Sequence, residues 1–228
     1  MTTSYTPLSP TPRSTPRRRD RTRTDRRELY RLLDDAIVGH LAVCIDGAPL
    51  VLPTIFGRNG DSVYIHGSSA ARSLREGSAP GAAVCFTVTH LDGVVFARAA
   101  AHHSMNFRSA VIHGHARAVT GREQKLAALE TIVEHVTPGL WTHSRPPTKK
   151  ELAQTQVLEL DTSEASVRVR QGPPADDLAD VEADDYWAGV VPMRPVFGPA
   201  EPSPDLRRHR AAPAYINSWS QNKSRVIC

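Results

Sequence analysis

What most constrains this chain is a series of short β-rich runs, each closed by a turn signal, starting at Ala36. Ile37, Gly39, Leu41, Val43 and Ile45 occupy alternate positions, which predicts a strand, and Asp46-Gly47 follows as a turn. A second run, Pro49 to Phe56, passes through Arg58-Asn59-Gly60-Asp61 into a third, Ser62 to His66. Asn-Gly between two such runs is a strong hairpin signal, so the three segments predict an antiparallel meander.

Gly67-Ser68-Ser69 then opens a predicted helix, Ala70 to Glu76, which Ser68 or Ser69 can cap, with Arg72 one turn in. That start is either an anion site built on helix N–H groups or plain capping of a surface helix. After Pro80-Gly81, Ala82 to Thr89 is almost wholly apolar or β-branched, as suits a strand buried on both faces. Leu91-Asp92-Gly93 predicts a turn, returning through Val94 to Ala97. Gly121 to Val136 carries Leu126, Leu129, Ile132, Val133 and Val136 at helical spacing and is the clearest amphipathic helix of the chain. Thr148 and Glu151 are spaced as a capping box, and Gln156–Leu160 and Ala165–Arg170 predict two further strands. Asp176 to Asp185 is an acidic connector before a closing strand within Tyr186–Pro192. Seven or eight strands at hairpin spacing with inserted helices predict a mainly β, α+β fold, a closed or partly closed antiparallel barrel with helices at its rim.

The 228 residues suffice for one domain with a sizeable core. Residues 1–26 are rich in Thr, Ser, Pro and Arg and nearly lack large apolar side chains, so they predict a disordered tail. Asp25 then caps a short helix through Leu33, with Leu29, Tyr30, Leu32 and Leu33 as its apolar stripe. Much of the net charge of +4 lies in that arginine-rich tail, so the folded part is closer to neutral and nucleic acid is not an expected partner. Residues 200–228 read as a second flexible tail, leaving 27–199 as the domain. Three widely spaced cysteines, Cys44, Cys85 and Cys228, without a CxxC pair, suit buried free thiols in a reducing cytoplasm. No apolar run approaches the roughly 18 residues of a membrane span.

The stretch His102 to Ala116 is where function is expected to converge. Ser104, Asn106, Arg108 and Ser109 bring hydroxyl, amide and guanidinium groups to the start of a β-rich segment closed by Gly114. It fits a phosphate-binding rim, and equally the ordinary start of a strand whose polar residues face water.

Leu52-Pro53-Thr54-Ile55-Phe56-Gly57-Arg58, Val63-Tyr64-Ile65-His66-Gly67-Ser68, Val84-Cys85-Phe86-Thr87-Val88-Thr89 and His102-His103-Ser104-Met105-Asn106-Phe107-Arg108-Ser109 together resemble the pyridoxamine 5'-phosphate oxidase-like flavin-binding split-barrel family. The likeness runs from about Arg27 to Pro199 and is strongest to the nitroimidazole-reductase-like, flavin-nucleotide-binding branch. It implies a six-stranded antiparallel split barrel, a homodimer, and FMN between subunits. By the same resemblance, Leu52, Pro53, Thr54 and Ile55 would lie along the flavin ring, and His66, Ser68, Ser69 and Arg72 would surround the phosphate. Thr87 would sit on the adjacent strand, and Asn106, Arg108 and Ser109 would complete the polar rim or cross from the partner. The implied activity is FMN-dependent electron transfer from NAD(P)H to a small aromatic acceptor, in a slot walled by Trp187 or Phe107 unless these only pack in the core.

Two departures narrow this. Ala70-Ala71-Arg72 leaves one basic group where the oxidases proper have an Arg-Lys pair. Their substrate-gripping Arg and His are not recognisable around Val190 to Pro199, so vitamin B6 oxidation is not expected. Haem, a deazaflavin in place of FMN, or flavin binding without catalysis remain alternatives. Haem draws on His66, His102, His103, His113 and His115, as would a metal, but no carboxylate or cysteine joins these histidines at ligand spacing, and no metal site is expected.

Overall fold

The computed structural model describes residues 5–9, 11–15, 19–206 and 211–225. In chain order the elements are a 3-10 turn Arg19–Arg21, β1 (Thr22–Arg23), α1 (Arg26–Asp35), β2 (Val38–Ile45), β3 (Ala48–Asn59), β4 (Ser62–Ser68), α2 (Arg72–Gly77), β5 (Val84–Phe96), a 3-10 turn Ala100–His102 and β6 (Ser104–Gly114). They continue with β7 (Arg117–Ala118), α3 (Arg122–Val136), α4 (Lys149–Gln154), β8 (Thr155–Asp161), β9 (Ala165–Arg170), α5 (Leu178–Ala183), β10 (Gly189–Pro192) and α6 (Ala214–Arg225). The chain divides into two compact units. The first holds Met1–His90, Phe107–Val136 and Leu140–Arg170, and the second Leu91–Asn106, Thr137–Gly139 and Gln171–Cys228.

The first unit is built on the expected meander. Asp46 and Gly47 take positive φ of 52° and 78°, as a tight hairpin turn requires, and β2 and β3 pair from Val38↔Ile55 to Ile45↔Ala48. The strand order β1-β9-β6-β5-β2-β3-β4-β8-β7 has two free ends, so among the described residues the sheet is not closed into the six-stranded barrel that the family resemblance implied. Alternation sets the core. Gly39, Leu41 and Val43 turn inward from β2 and meet Phe56, Phe86, Val63 and Ile65, all buried. A Cβ on Gly39 would stand 2.1 Å from the Phe86 ring, so the glycine makes room for that aromatic. α1 begins at the expected cap, Asp25 Oδ1 accepting from the Arg27 amide at 2.9 Å, and buries the stripe Leu29, Tyr30, Leu32 and Leu33. α4 carries the reciprocal Thr148–Glu151 capping box.

Several expectations are corrected. The N-terminal segment is not a detached tail where it is described. Leu8 is buried and its amide donates to Thr24 O at 2.8 Å, Thr11 and Arg13 bind Glu164, and β1 pairs with β9. Composition missed this because one leucine and a few side-chain hydrogen bonds anchor it. The second predicted tail contains α6, where Trp219 meets Phe197 edge-on at 4.8 Å. Neither Ser68 nor Ser69 caps α2. Its N-cap is Ala71, without a side-chain hydrogen bond, and the Ser68 hydroxyl accepts from the Ala70 amide at 3.2 Å in the turn before it. Leu91-Asp92-Gly93 is no turn but the middle of a continuous β5. In the second unit β10 pairs there from Gly189↔Phe96 to Pro192↔Gly93, and a Cβ on Gly93 would lie 3.0 Å from Val191 O. That glycine serves close strand approach. The acidic connector holds the short helix α5.

Candidate functional site: the divergence of β3 from β4

The site begins with how one strand divides its partners. β3 pairs with β4 from Asn59↔Ser62 to Phe56↔Ile65 and no further. The same register would next join Ile55 to His66, Thr54 to Gly67 and Pro53 to Ser68. Instead β4 continues on β8, through His66↔Val157, Gly67↔Gln156 and Ser68↔Thr155, while Leu52–Ile55 pair with β2 alone. The two strands therefore part after Phe56, and the β4-facing backbone edge of Leu52–Ile55 has no strand partner among the described residues. Pro53, which has no N–H to leave unpaired, stands on this edge. The result is a split with an apolar, backbone-lined lip on one side and His66, Gly67 and Ser68 on the other.

His66 is half-buried at this lip, and its Nδ1 is buried without a hydrogen-bond partner. Burial also lowers its pKa below the ordinary histidine value, so the ring is neutral at pH 7 and one nitrogen has a free lone pair or an unsatisfied proton. A buried polar atom with no partner is uncommon and marks a place where a bound group would complete the bonding.

The other expected site residues are distributed as follows. The Thr54 hydroxyl bonds to Ile55 O at 3.0 Å, and Ser69 is exposed, its amide donating to Gln154 O at 2.8 Å. Arg72 is not beside the lip but pairs with Asp46 at 2.6 Å, at the far end of the β2–β3 hairpin, and contacts Glu76 at 3.6 Å. Leu52 is about 13 Å along β3 from Ala48 at roughly 3.3 Å per residue. Thr87, on β5 opposite His40, donates to Ala110 O at 2.8 Å. Arg108 and Ser109 pair with Val169 and Arg168 on β9, which puts them three strands from β3, about 14 Å at ~4.8 Å per strand. Asn106 is buried and donates to Gly172 O at 3.2 Å. The fold thus gathers Leu52–Ile55, His66 and Ser68 at one split, and leaves Arg72, Thr87 and the β6 residues apart from it within one chain.

The outward face of β2 and β3 has a second property. Val51, Pro53 and Ile55 share it with Val38, and Val51 is 57%, Val38 47% and Ile55 39% exposed. An uncovered β-branched stripe beside a split with unpaired backbone was invisible in the sequence, because alternation says only that a face is apolar and not what it meets. The histidines sort themselves too. His103 Nδ1 accepts from the Ala97 amide at 2.9 Å and is occupied, whereas His66 and His102 each keep a buried Nδ1 without a hydrogen bond. Trp187 is 70% exposed and leans on Phe96, ring centres 5.9 Å apart, so it is not a core residue. Cys44 is exposed rather than buried, while Cys85 is half-buried and held above the ordinary thiol pKa by that burial, which disfavours its thiolate.

The flavocytochrome Anf3 from Azotobacter vinelandii superposes with a TM-score of 0.87 and is 37% identical over 93% of this chain and 99% of its own. The FAD and heme binding protein from Mycobacterium smegmatis gives 0.82 and 33%, over 88% of this chain and 97% of its own. A candidate 5-nitroimidazole antibiotic resistance protein from Bacteroides thetaiotaomicron VPI-5482 gives 0.56 and 19%, over 65% and 86%, a likeness of fold alone. Relatives above 30% identity include a flavocytochrome and a protein that binds FAD and heme. No curated protein matches the chain. Residues 25–169 match the model of the pyridoxamine 5'-phosphate oxidase family. With its split strand pairing and that match over most of its length, the chain belongs to the pyridoxamine 5'-phosphate oxidase family.

Proposed function

We propose that the chain is a flavin- and haem-binding redox protein, a flavocytochrome that works as a homodimer. The observation that carries this reading is similarity along nearly the whole chain, at 37% and 33% identity, to two proteins described as a flavocytochrome and as FAD- and haem-binding. It ranks above transfer from NAD(P)H to a small aromatic acceptor, since the nitroimidazole-type relative shares only the fold.

The residues fit a flavin. A tricyclic ring needs an apolar slot with a few backbone hydrogen bonds, and the open edge of Leu52, Pro53, Thr54 and Ile55 offers both. His66, neutral and with an unsatisfied nitrogen, would hydrogen-bond a ring or ribityl atom, and Ser68 and Ser69 continue that lip. Arg72 would exchange Asp46 for a phosphate. Both groups of that pair are exposed, so little stability opposes the exchange. Arg108 and Ser109 would reach the cofactor from the second subunit, whose docking would cover Val38, Val51 and Ile55. FAD is favoured over FMN by the name of the Mycobacterium smegmatis relative. Haem, when bound, would be held by the imidazole of His113 or His115.

When bound, a flavin supplies two-electron and haem one-electron chemistry, and the chain's part is to hold both and exclude water. The test is the absorbance spectrum of protein expressed with iron and riboflavin supplied, with mass spectrometry of the flavin released on denaturation. Blue flavin bands together with a Soret band, and FAD in the mass spectrum, are expected. A spectrum with neither chromophore would sink the reading, and FMN alone would return it to the flavin-only alternative.

A further inference from the structure

In the second unit, one histidine and two aspartates far apart in sequence meet. His102, ending the 3-10 turn Ala100–His102, and Asp177 and Asp180, at the start of α5, offer ligand atoms that all lie within 4.8 Å of one another. We infer that His102, Asp177 and Asp180 bind a divalent first-row metal ion, a site distinct from any flavin or haem and independent of the proposal above.

Three observations point to a cation. The first is charge. Arg98 is the cation of this region and is already engaged, pairing with Asp176 at 3.2 Å and Asp184 at 2.7 Å, while its own amide donates to the Asp176 carboxylate. Among the described residues, no cation or hydrogen-bond donor meets the carboxylates of Asp177 and Asp180. Two such anions this close repel one another, and a dication would cancel both. The second is the imidazole. His102 Nδ1 is buried and makes no hydrogen bond, the Asp176 carboxylate standing 3.8 Å away. A histidine in an ordinary structural role is satisfied, as its neighbour His103 is by the Ala97 amide.

The third is the helix itself. α5 has six residues, far below the length at which a helix persists alone, and buries no side chain. Leu178 is 71% and Val181 43% exposed. Asp177 occupies the N-cap without making the capping hydrogen bond that aspartate normally provides there. With no buried side chain and no side-chain N-cap, the start of the helix lacks the usual means of staying folded, and a metal joining its first turn to His102 supplies one. An imidazole with two carboxylates suits Zn2+, Mn2+ or Fe2+, and is a poor set for Mg2+ or Ca2+, which take oxygen.

The experiment uses the full-length protein, stripped with chelator and dialysed against Zn2+ or Mn2+ alone, followed by metal analysis and thermal unfolding. Wild type is expected to retain one more ion per chain than Asp177→Asn/Asp180→Asn, and its midpoint to rise with metal while that of the double variant stays put. Zn2+ held by other histidines would appear equally in both and cancel. His102→Gln should lose the same ion, with flavin and haem content unchanged. It carries the comparison if circular dichroism shows the double variant unfolded. Equal metal content in all three proteins, or no ion in wild type with either metal, would overturn the inference, as would loss of haem rather than metal in His102→Gln.

Discussion

At the scale of single residues, His66 shows how burial turns an ordinary side chain into a reporter. Its pKa is depressed by burial, so the unfolded chain binds a proton that the folded chain refuses as pH falls below about 6.5. Stability from this group is present above that pH and is lost as pH falls through the lowered folded value. His66→Gln should flatten that part of the profile, read by chemical denaturation between roughly pH 5 and 8. An unchanged slope would mean the ring is solvated. Arg72 makes the opposite case. Its exposed pair with Asp46 gives little to the fold, so Arg72→Ala should leave the unfolding midpoint nearly unchanged and weaken flavin binding by on the order of tenfold in a fluorescence titration. His66 was legible as a candidate because it ends a β-rich run. That its nitrogen lacks a partner was not, since this depends on what β8 and β3 leave around it.

At the scale of elements, local chemistry predicted best where the signal is contained in a few neighbouring residues. Asp25 before α1, the Thr148–Glu151 box and the Asp46-Gly47 turn all appear as read. Glu151, held by Arg145 and the Thr148 amide, sits at a pKa of about 2, below the ordinary glutamate value. Its capping contribution is therefore present above about pH 4.5 and should fade only as pH falls towards 2. Thr148→Ala should cost about 1 kcal/mol at neutral pH, measured by denaturant unfolding, and a neutral result would show α4 held by packing alone. The contact between α3 and β3 is less forgiving. A Cβ at Gly57 would lie 2.6 Å from Thr131 O and 2.7 Å from Ile132 Cα, backbone atoms of a fifteen-residue helix. Gly57→Ala is expected to destabilise by roughly 1–3 kcal/mol, and wild-type stability in that variant would show that α3 can move away. The misreadings share one cause. Asp92-Gly93 resembles a turn until β10 arrives from nearly a hundred residues on, and β3–β4 resembles a full-length hairpin, whereas β3 leaves β4 after Ile65 and β8 alone accompanies β4 to Ser68.

At the scale of the molecule, the apolar stripe of Val38, Val51 and Ile55 and the split beside it are one question. If a second copy covers the stripe, Val51→Asp/Ile55→Asp should sediment as a monomer and lose flavin together, because such a dimer would bring Arg108 and Ser109 towards the cofactor. A monomeric variant that keeps full flavin affinity would separate dimerisation from binding. By itself the sequence determined the antiparallel meander, the capped helices, the apolar face of each strand and the family to which their order belongs. These follow from period, turn residues and capping pairs, interactions that span a few positions and need no knowledge of the rest of the chain. Only the tertiary structure decided that β3 abandons β4 after Phe56, that Arg72 faces Asp46, and that His102 meets Asp177 and Asp180. Each of those depends on which distant segments come to lie side by side, and that is settled only when the whole chain is packed.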